Sequence, residues 1–241
     1  MTSKDSGKRM LSRRGVLTGT CILIFFVIFV PNLWATSSPS NGEEAANIIA
    51  QMEGAYAAVK EYQTETEVQE YREGRVVETK HFLYTFRKPD HVRIDMKSPY
   101  PGMILVYPDK EGKVHVRFGG LAGFLKLRLA TDSMLLKNSA GQRIDQTDMG
   151  LLIRNMAHSL TDRRRGAIRV AREDGRVHVE VLAEDHFLAG VLTLYRFSID
   201  TTRWLPAEVK ESTPAGATKR KVLFLNMRTA PAVPANLFRI D

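Results

Sequence analysis

The sequence predicts a mainly β (α+β) fold, a long, curved antiparallel sheet with two helices available to cover its concave face. Three observations carry that prediction. From Tyr62 to Phe118, apolar and polar residues alternate at period 2 through five successive segments, the mark of a sheet with one covered face. Only two segments, 43–60 and 148–160, carry apolar residues at helical spacing. The joints between alternating segments are short and rich in Gly, Pro and Asp, so successive strands are joined as a meander.

The first helix is expected over 43–60, with Asn41 as N-cap and Glu44 three positions on. Its residues Ala45, Ile48, Ile49, Met52, Tyr56 and Val59 share one face, which must lie on something apolar. Strands follow at 62–71 and 75–87 around the Glu73-Gly74 turn and, past Pro89, at 92–96. Pro99-Tyr100-Pro101-Gly102 leads into 103–107, and Asp109-Lys110-Glu111-Gly112 into 114–118. Beyond Gly119-Gly120, the segment 124–129 puts Leu125, Leu127 and Leu129 on one face and Lys126 and Arg128 on the other. The mid-chain helix, 148–160, carries Met149, Leu152, Ile153, Met156 and Leu160 at helical spacing. Strands resume at 168–172, 177–183, 191–200, 205–211 and 218–226, and Phe238-Arg239-Ile240-Asp241 is expected as a short closing strand. The count is one helix, six strands, one helix and six more strands.

At 241 residues, 44% hydrophobic and 26% charged, the composition suits one domain of about 200 residues behind an N-terminal extension. In that extension Lys4, Lys8, Arg9, Arg13 and Arg14 precede an uncharged run from Gly15 to Gly42 with an apolar centre, Cys21 to Val30. A basic head before an apolar run stays cytoplasmic, so the rest of the chain is translocated and periplasmic. Ala35-Thr36-Ser37 has the small-x-small form of a cleavage site, while residues 16–34 also suit a tether to the inner membrane, and both readings stay open. Ser12-Arg13-Arg14-Gly15-Val16-Leu17 is similar to a twin-arginine signal, which leaves two export routes. Residues 1–35 are thus an export signal or anchor, 36–42 a linker rich in turn formers, and 43–241 the folded domain. The only cysteine, Cys21, lies inside the apolar run, leaving the domain no disulfide to form and no lipobox. Of the net +8, residues 1–35 carry five basic and one acidic side chains, leaving +4 for the rest. That is suited to an anionic membrane surface and is no footprint for nucleic acid.

The order of these elements resembles the LolA/LolB-like envelope proteins, which include the periplasmic RseB/MucB-type domain. The resemblance covers 43–241 and rests on the N-terminal helix, the corner Arg87-Lys88-Pro89 followed by Val92-Arg93-Ile94, the mid-chain helix, and the ending Leu225-Asn226 then Leu237-Phe238-Arg239-Ile240. It implies an unclosed barrel of about eleven antiparallel strands, a helical lid, and an apolar cavity that takes up acyl chains. It also implies that Lys88, with Arg93 close by, latches the lid, although a lysine lacks the planar fork of the family's arginine. Val92 stands at the family's aromatic corner position, without the ring, and Ile94 at an apolar wall position.

Parity alone also points to a cavity. Phe82, Tyr84 and Phe86 share one face, as do Ile94 and Met96, and Met103, Leu105 and Tyr107, while the helices offer Met52, Leu152 and Met156. Met and aromatic side chains adapt to flexible guests, although the same residues also suit a dry core.

Chemistry is sparse. His81, His91, His115, His158, His178 and His186 show no metal-ligand spacing, and the adjacent pairs Asp90-His91 and Asp185-His186 are expected to point apart. No GxSxG, Walker or GxGxxG motif occurs, and Gly119-Gly120-Leu121-Ala122-Gly123 lacks the strand-to-helix setting of a phosphate loop. The clusters Arg163-Arg164-Arg165 and Lys219-Arg220-Lys221 read either as headgroup attraction or as solvated turns and strand faces. The expectation is a non-enzymatic protein with no cofactor and no metal that binds lipid or lipoprotein acyl chains as a carrier. The alternatives are an RseB-like sensor reporting lipid occupancy to an inner-membrane protein, and an envelope hydrolase.

Overall fold

The structure, a computed structural model, describes residues 40–136, 141–162 and 166–240. The leader, most of the linker and the Arg163-Arg164-Arg165 cluster lie outside the described residues.

Helix α1 spans Asn41–Ala58. Its N-cap is Ser40 rather than Asn41: the Ser40 hydroxyl accepts from the Glu43 amide, and the Glu43 carboxylate accepts from the Ser40 amide at 2.9 Å. Ser40/Glu43 and Asn41/Glu44 have the same spacing, so the local sequence offers two registers, and the reciprocal bonds form in the first. Six strands follow, β1 Glu61–Arg72, β2 Arg75–Arg87, β3 His91–Ser98, β4 Ile104–Tyr107, β5 Val114–Arg117 and β6 Lys126–Leu129. Helix α2 covers Met149–Thr161, capped by Asp148, whose carboxylate accepts from the Leu151 amide at 2.9 Å. Five more strands complete the chain, β7 Arg169–Glu173, β8 Arg176–Glu184, β9 Leu192–Asp200, β10 Leu205–Ser212 and β11 Thr218–Arg228.

All eleven strands form one antiparallel sheet in the order β6-β5-β4-β3-β2-β1-β11-β10-β9-β8-β7. Every neighbour is a sequence neighbour except β1 and β11, whose pairing joins the two meanders, and β6 and β7 remain as unclosed edges. The two-residue loops Glu73-Gly74 and Asp174-Gly175 have positive φ at both positions, the backbone whose twist matches the strands it joins.

Alternation becomes burial on the covered face. Tyr62, Thr64, Thr66 and Val68 of β1 and Val177, Val179, Val181 and Ala183 of β8 point inward, beneath Ala45, Ile48, Ile49 and Met52 of α1 and Met149, Ile153 and Met156 of α2. Burying each such aliphatic side chain contributes about 1.5–3 kcal/mol. Tyr62 anchors the centre, its ring 5.8 Å from that of Tyr84 and 5.4 Å from that of Phe86, and its hydroxyl accepts from the Met149 amide at 3.1 Å. That bond satisfies one of the open donors at the start of α2. On the edge strand β6, Leu127 and Leu129 pack on the core as expected, whereas Leu125 precedes the strand and is largely exposed.

Among the described residues 238–240, the expected closing strand does not form. Residues 235–238 make a turn whose Phe238 packs with Ile104 and Val106 on the opposite face of β4, and Val233, Leu237 and Ile240 border that cluster. Pro231 and Pro234, each without an amide donor, keep only the preceding segment 231–234 out of a ladder. Covering both faces of β4 explains its unbroken apolar run Ile104-Leu105-Val106-Tyr107.

Candidate functional site

A cavity of about 110 Å³ lies between the inner face of the sheet and α2. Its floor is a row of cross-strand neighbours. On β1, β11 and β10, Val68, Val222 and Val209 lie side by side, with Phe224 opposite Thr66. Phe82 and Tyr84 of β2 and Ile94 of β3 extend the wall, and Leu152 and Asn155 of α2 form the roof. The segment 142–148 and the pair His186-Phe187 close the ends. Tyr84 ties the wall to that segment, its hydroxyl 3.0 Å from Thr147 Oγ1. Burial pushes the Tyr84 phenol up, so it stays a neutral hydrogen-bonding group.

Of the eleven residues predicted for the cavity, the structure brings Phe82, Tyr84, Ile94 and Leu152 to its surface. Met52, Phe86 and Met156 are instead buried in the packed core, where the helices seat directly on the sheet. Met103, Leu105 and Tyr107 pack half-buried against that core nearer β6, and Met96 is half-buried toward the end of β3.

Lys88 and Arg93 separate. The Lys88 ammonium donates to the carbonyls of Tyr56, at 2.8 Å, and Ala57, at 3.2 Å, and sits 4.4 Å from the centre of the Tyr56 ring. It therefore fastens the C-terminal end of α1, where open carbonyls and the helix dipole favour a cation. Arg93 does not latch the lid. Its guanidinium holds the Asp95 carboxylate at 2.7 and 2.8 Å and donates to the Leu237 carbonyl at 2.7 Å, on the face away from the helices. Parity is the reason, because Val92 and Ile94 point inward and Arg93 between them must point out.

The Lys219-Arg220-Lys221 cluster divides: Lys219, at the register shift between β10 and β11, and Lys221 are half-buried in ion pairs, and Arg220 is buried. Lys219 pairs with the buried Asp185 at 3.3 Å, and Lys221 with Glu208 at 3.2 Å. Arg220 turns inward, with its side chain 9% exposed. It stands in an inner-face row with Glu70 of β1 on one side and Glu211 of β10 on the other. The contacts are long, 3.7 Å from Arg220 Nε to Glu70 Oε1 and 3.9 Å from Arg220 Nη1 to Glu211 Oε1, while Nη2 donates to Gln142 Oε1 at 3.3 Å. Burial pushes the Glu211 carboxyl up, against the pull of Arg220. Val222 and Phe224 share the parity of Arg220 and are the signal by which the sequence could have placed it inside.

The Asp-His pairs serve the scaffold. Asp185 accepts from the Phe187 and Leu188 amides and the Thr193 hydroxyl; burial opposes its charge, yet these bonds and Lys219 hold it below the usual carboxylate range. His186 stacks on Tyr195 at 4.1 Å, and its Nε2 lies 2.8 Å from Ser159 Oγ. The Ser159 Oγ also lies 3.1 Å from the Asn155 carbonyl, so the hydroxyl is held between its own helix and the His186 ring. Asp90 and His91 do not diverge as expected, since His91 Nδ1 lies 3.3 Å from Asp90 Oδ1. Among the described residues, no three His, Cys, Asp or Glu side chains gather as a metal site.

No family model and no curated protein sequence matches this chain. Solved structures do. An uncharacterized conserved protein from Thermus thermophilus is similar at a TM-score of 0.50 and 10% identity, over 82% of this chain and 94% of that one. A putative outer membrane lipoprotein-sorting protein domain from Vibrio parahaemolyticus is similar at 0.43 and 9%, over 82% and 97%. MucB is similar at 0.46 and 14%, over 83% of this chain and 63% of MucB. The fold is shared with the Thermus thermophilus protein. One unclosed antiparallel sheet, an N-terminal helix and a mid-chain helix stand in the order that the resemblance implied. At these identities the likeness is one of fold.

Proposed function

We propose that this chain is an exported, non-enzymatic protein that holds the acyl chain of a lipid or lipoprotein between its sheet and α2, and acts as a carrier at the periplasmic face of the envelope. The observation that carries this reading is the cavity under α2, a largely apolar floor roofed by Leu152 and Asn155 with polar groups at its ends. Burying a sixteen-carbon chain would be worth on the order of 10 kcal/mol, at about 0.8 per methylene, ample to extract it from water. The volume of about 110 Å³ is smaller than the roughly 300–1,000 Å³ of ligand pockets, so a long acyl chain requires the cavity to widen. Uptake then requires α2 and residues 142–148 to move off the wall formed by Phe82, Tyr84 and Ile94. The leader, as signal or tether, delivers the domain 43–241 to the compartment where such lipids are handled.

Mass spectrometry of gently purified residues 36–241 tests the reading: a co-purifying lipid is expected, and it should be lost from Val222→Trp, whose larger side chain fills the cavity floor. Absence of any lipid from the wild-type domain, together with no binding of a fluorescent fatty acyl probe, overturns it. Lipid-dependent capture of an inner-membrane protein would move the assignment from carrier to sensor.

A further inference from the structure

The outer face of the sheet, away from the cavity, carries a groove of about 350 Å³ lined by four cations, Arg176, Arg196, Lys210 and Lys221. Strand register puts three of them in one row: Lys210 of β10 stands directly opposite Arg196 of β9 on one side and Lys221 of β11 on the other. Neighbouring strands lie about 4.8 Å apart, so the three side chains rise from a stretch of roughly 10 Å. Like charges directly opposite one another in a sheet repel. The carboxylates that register offers in return are engaged elsewhere. Glu180 stands opposite Arg196 but pairs with Arg169 at 2.9 Å, and Asp200 stands opposite Arg176 but lies 3.5 Å from Arg203. Lys221 alone of the four holds an acid, Glu208 at 3.2 Å, whereas Arg176, Arg196 and half-buried Lys210 have no carboxylate within 4.0 Å among the described residues.

Four cations against the two carboxylates on the wall, Glu173 and Glu208, leave the groove at +2. His178, also on the wall, adds no charge near neutral pH, because burial and then Arg196 push its pKa down. A dianion cancels the excess, while a singly charged guest leaves half of it. Arginine meets a phosphate edge with its planar fork and lysine meets it as a point charge, so the row supplies both modes of holding one. We infer that this groove binds a phosphomonoester dianion, with Arg196 and Lys210 as its direct partners and Arg176 and Lys221 flanking them, and that it discriminates against the singly charged phosphodiester. The site is separate from the acyl-chain cavity and stands or falls without it. The same phosphate group occurs on soluble esters and on the lipid phosphatidic acid.

The test uses the full-length chain in phosphatidylcholine nanodiscs at pH 8, titrated by calorimetry with glycerol 3-phosphate, close to doubly charged there, and with the diester glycerophosphoglycerol. A second arm measures capture of the same nanodiscs by phosphatidylcholine vesicles containing either phosphatidic acid or phosphatidylglycerol. The monoester is expected to bind about tenfold more tightly than the diester, the equivalent of roughly 1.4 kcal/mol. The double variant Arg196→Gln/Lys210→Gln should lose that binding, and its urea midpoint should not fall, since it cuts no ion pair among the described residues. Binding of glycerol 3-phosphate assigns the site to a soluble ester, and capture by phosphatidic acid vesicles alone, lost in the variant, assigns it to a lipid; either upholds the inference. Equal affinity for monoester and diester, equal capture by the two anionic lipids, binding unmoved in the variant, or no binding in either arm overturns it. Should the double variant fail to fold, the wild-type preference between monoester and diester decides.

Discussion

Gly150→Ala sets two ordinary effects against each other. Alanine is the better helix former by up to about 1 kcal/mol, and in the first turn of α2 the gain is at most that. A Cβ at position 150, however, would lie 2.5 Å from Tyr56 Cε1, 2.8 Å from Asp148 Oδ1 and 3.0 Å from Tyr56 Cζ. The Tyr56 ring cannot retreat cheaply. Its hydroxyl donates to Asp148 Oδ1 at 3.3 Å, and Lys88 lies against the ring and on the Tyr56 carbonyl. Overpacking of this kind costs about 1–3 kcal/mol, and loss of the Tyr56 to Asp148 bond adds about 1. The net expectation is a destabilisation of about 1–3 kcal/mol, read as a lower urea midpoint at unchanged slope. A midpoint at or above that of the wild type would refute the claim that α1 and α2 are spaced by a side-chain-free contact at Gly150.

Other perturbations follow from the same geometry. Lys88→Met removes the two charge-assisted bonds to the end of α1 and should cost about 1–2 kcal/mol in urea unfolding, with Lys88→Arg recovering part of it. Burial pushes His186 down from 6.5 to about 4, so the folded state refuses a proton that the unfolded chain accepts. Its neutral form contributes fully above pH 6.5, and that stability is lost as pH falls toward 4, by about 3 kcal/mol in the limit. His186→Gln should flatten the stability profile between those pH values relative to the wild type, measured as a difference between the two proteins. Arg93→Met cuts the bond to the Leu237 carbonyl and should release the C-terminal segment, seen as faster tryptic cleavage after Arg228 with little change in the unfolding midpoint.

Much of the fold could be read from the sequence because it is written locally. Period-2 alternation, the Glu73-Gly74 and Asp174-Gly175 turns and the helical spacing of Met149, Ile153 and Met156 each act within a few residues, so helix, strand and turn were set by neighbours along the chain. Parity was equally local and told which side chains shared a face, Phe82 with Tyr84 and Val92 with Ile94. The sequence did not reveal what stood over each face. Whether Met52 and Met156 filled a dry core or lined a cavity depended on where the helices seated. Whether the C-terminal residues joined the ladder depended on an outer apolar patch of β4 that they could cover. The β1–β11 pairing, between residues 150 or more positions apart, placed Arg220 beside Glu70 on the inner face and Val222 beside Val68 on the cavity floor. Contacts of that range are fixed by the closing of the two meanders on one another, a balance of buried area against loop entropy that no short window of residues contains.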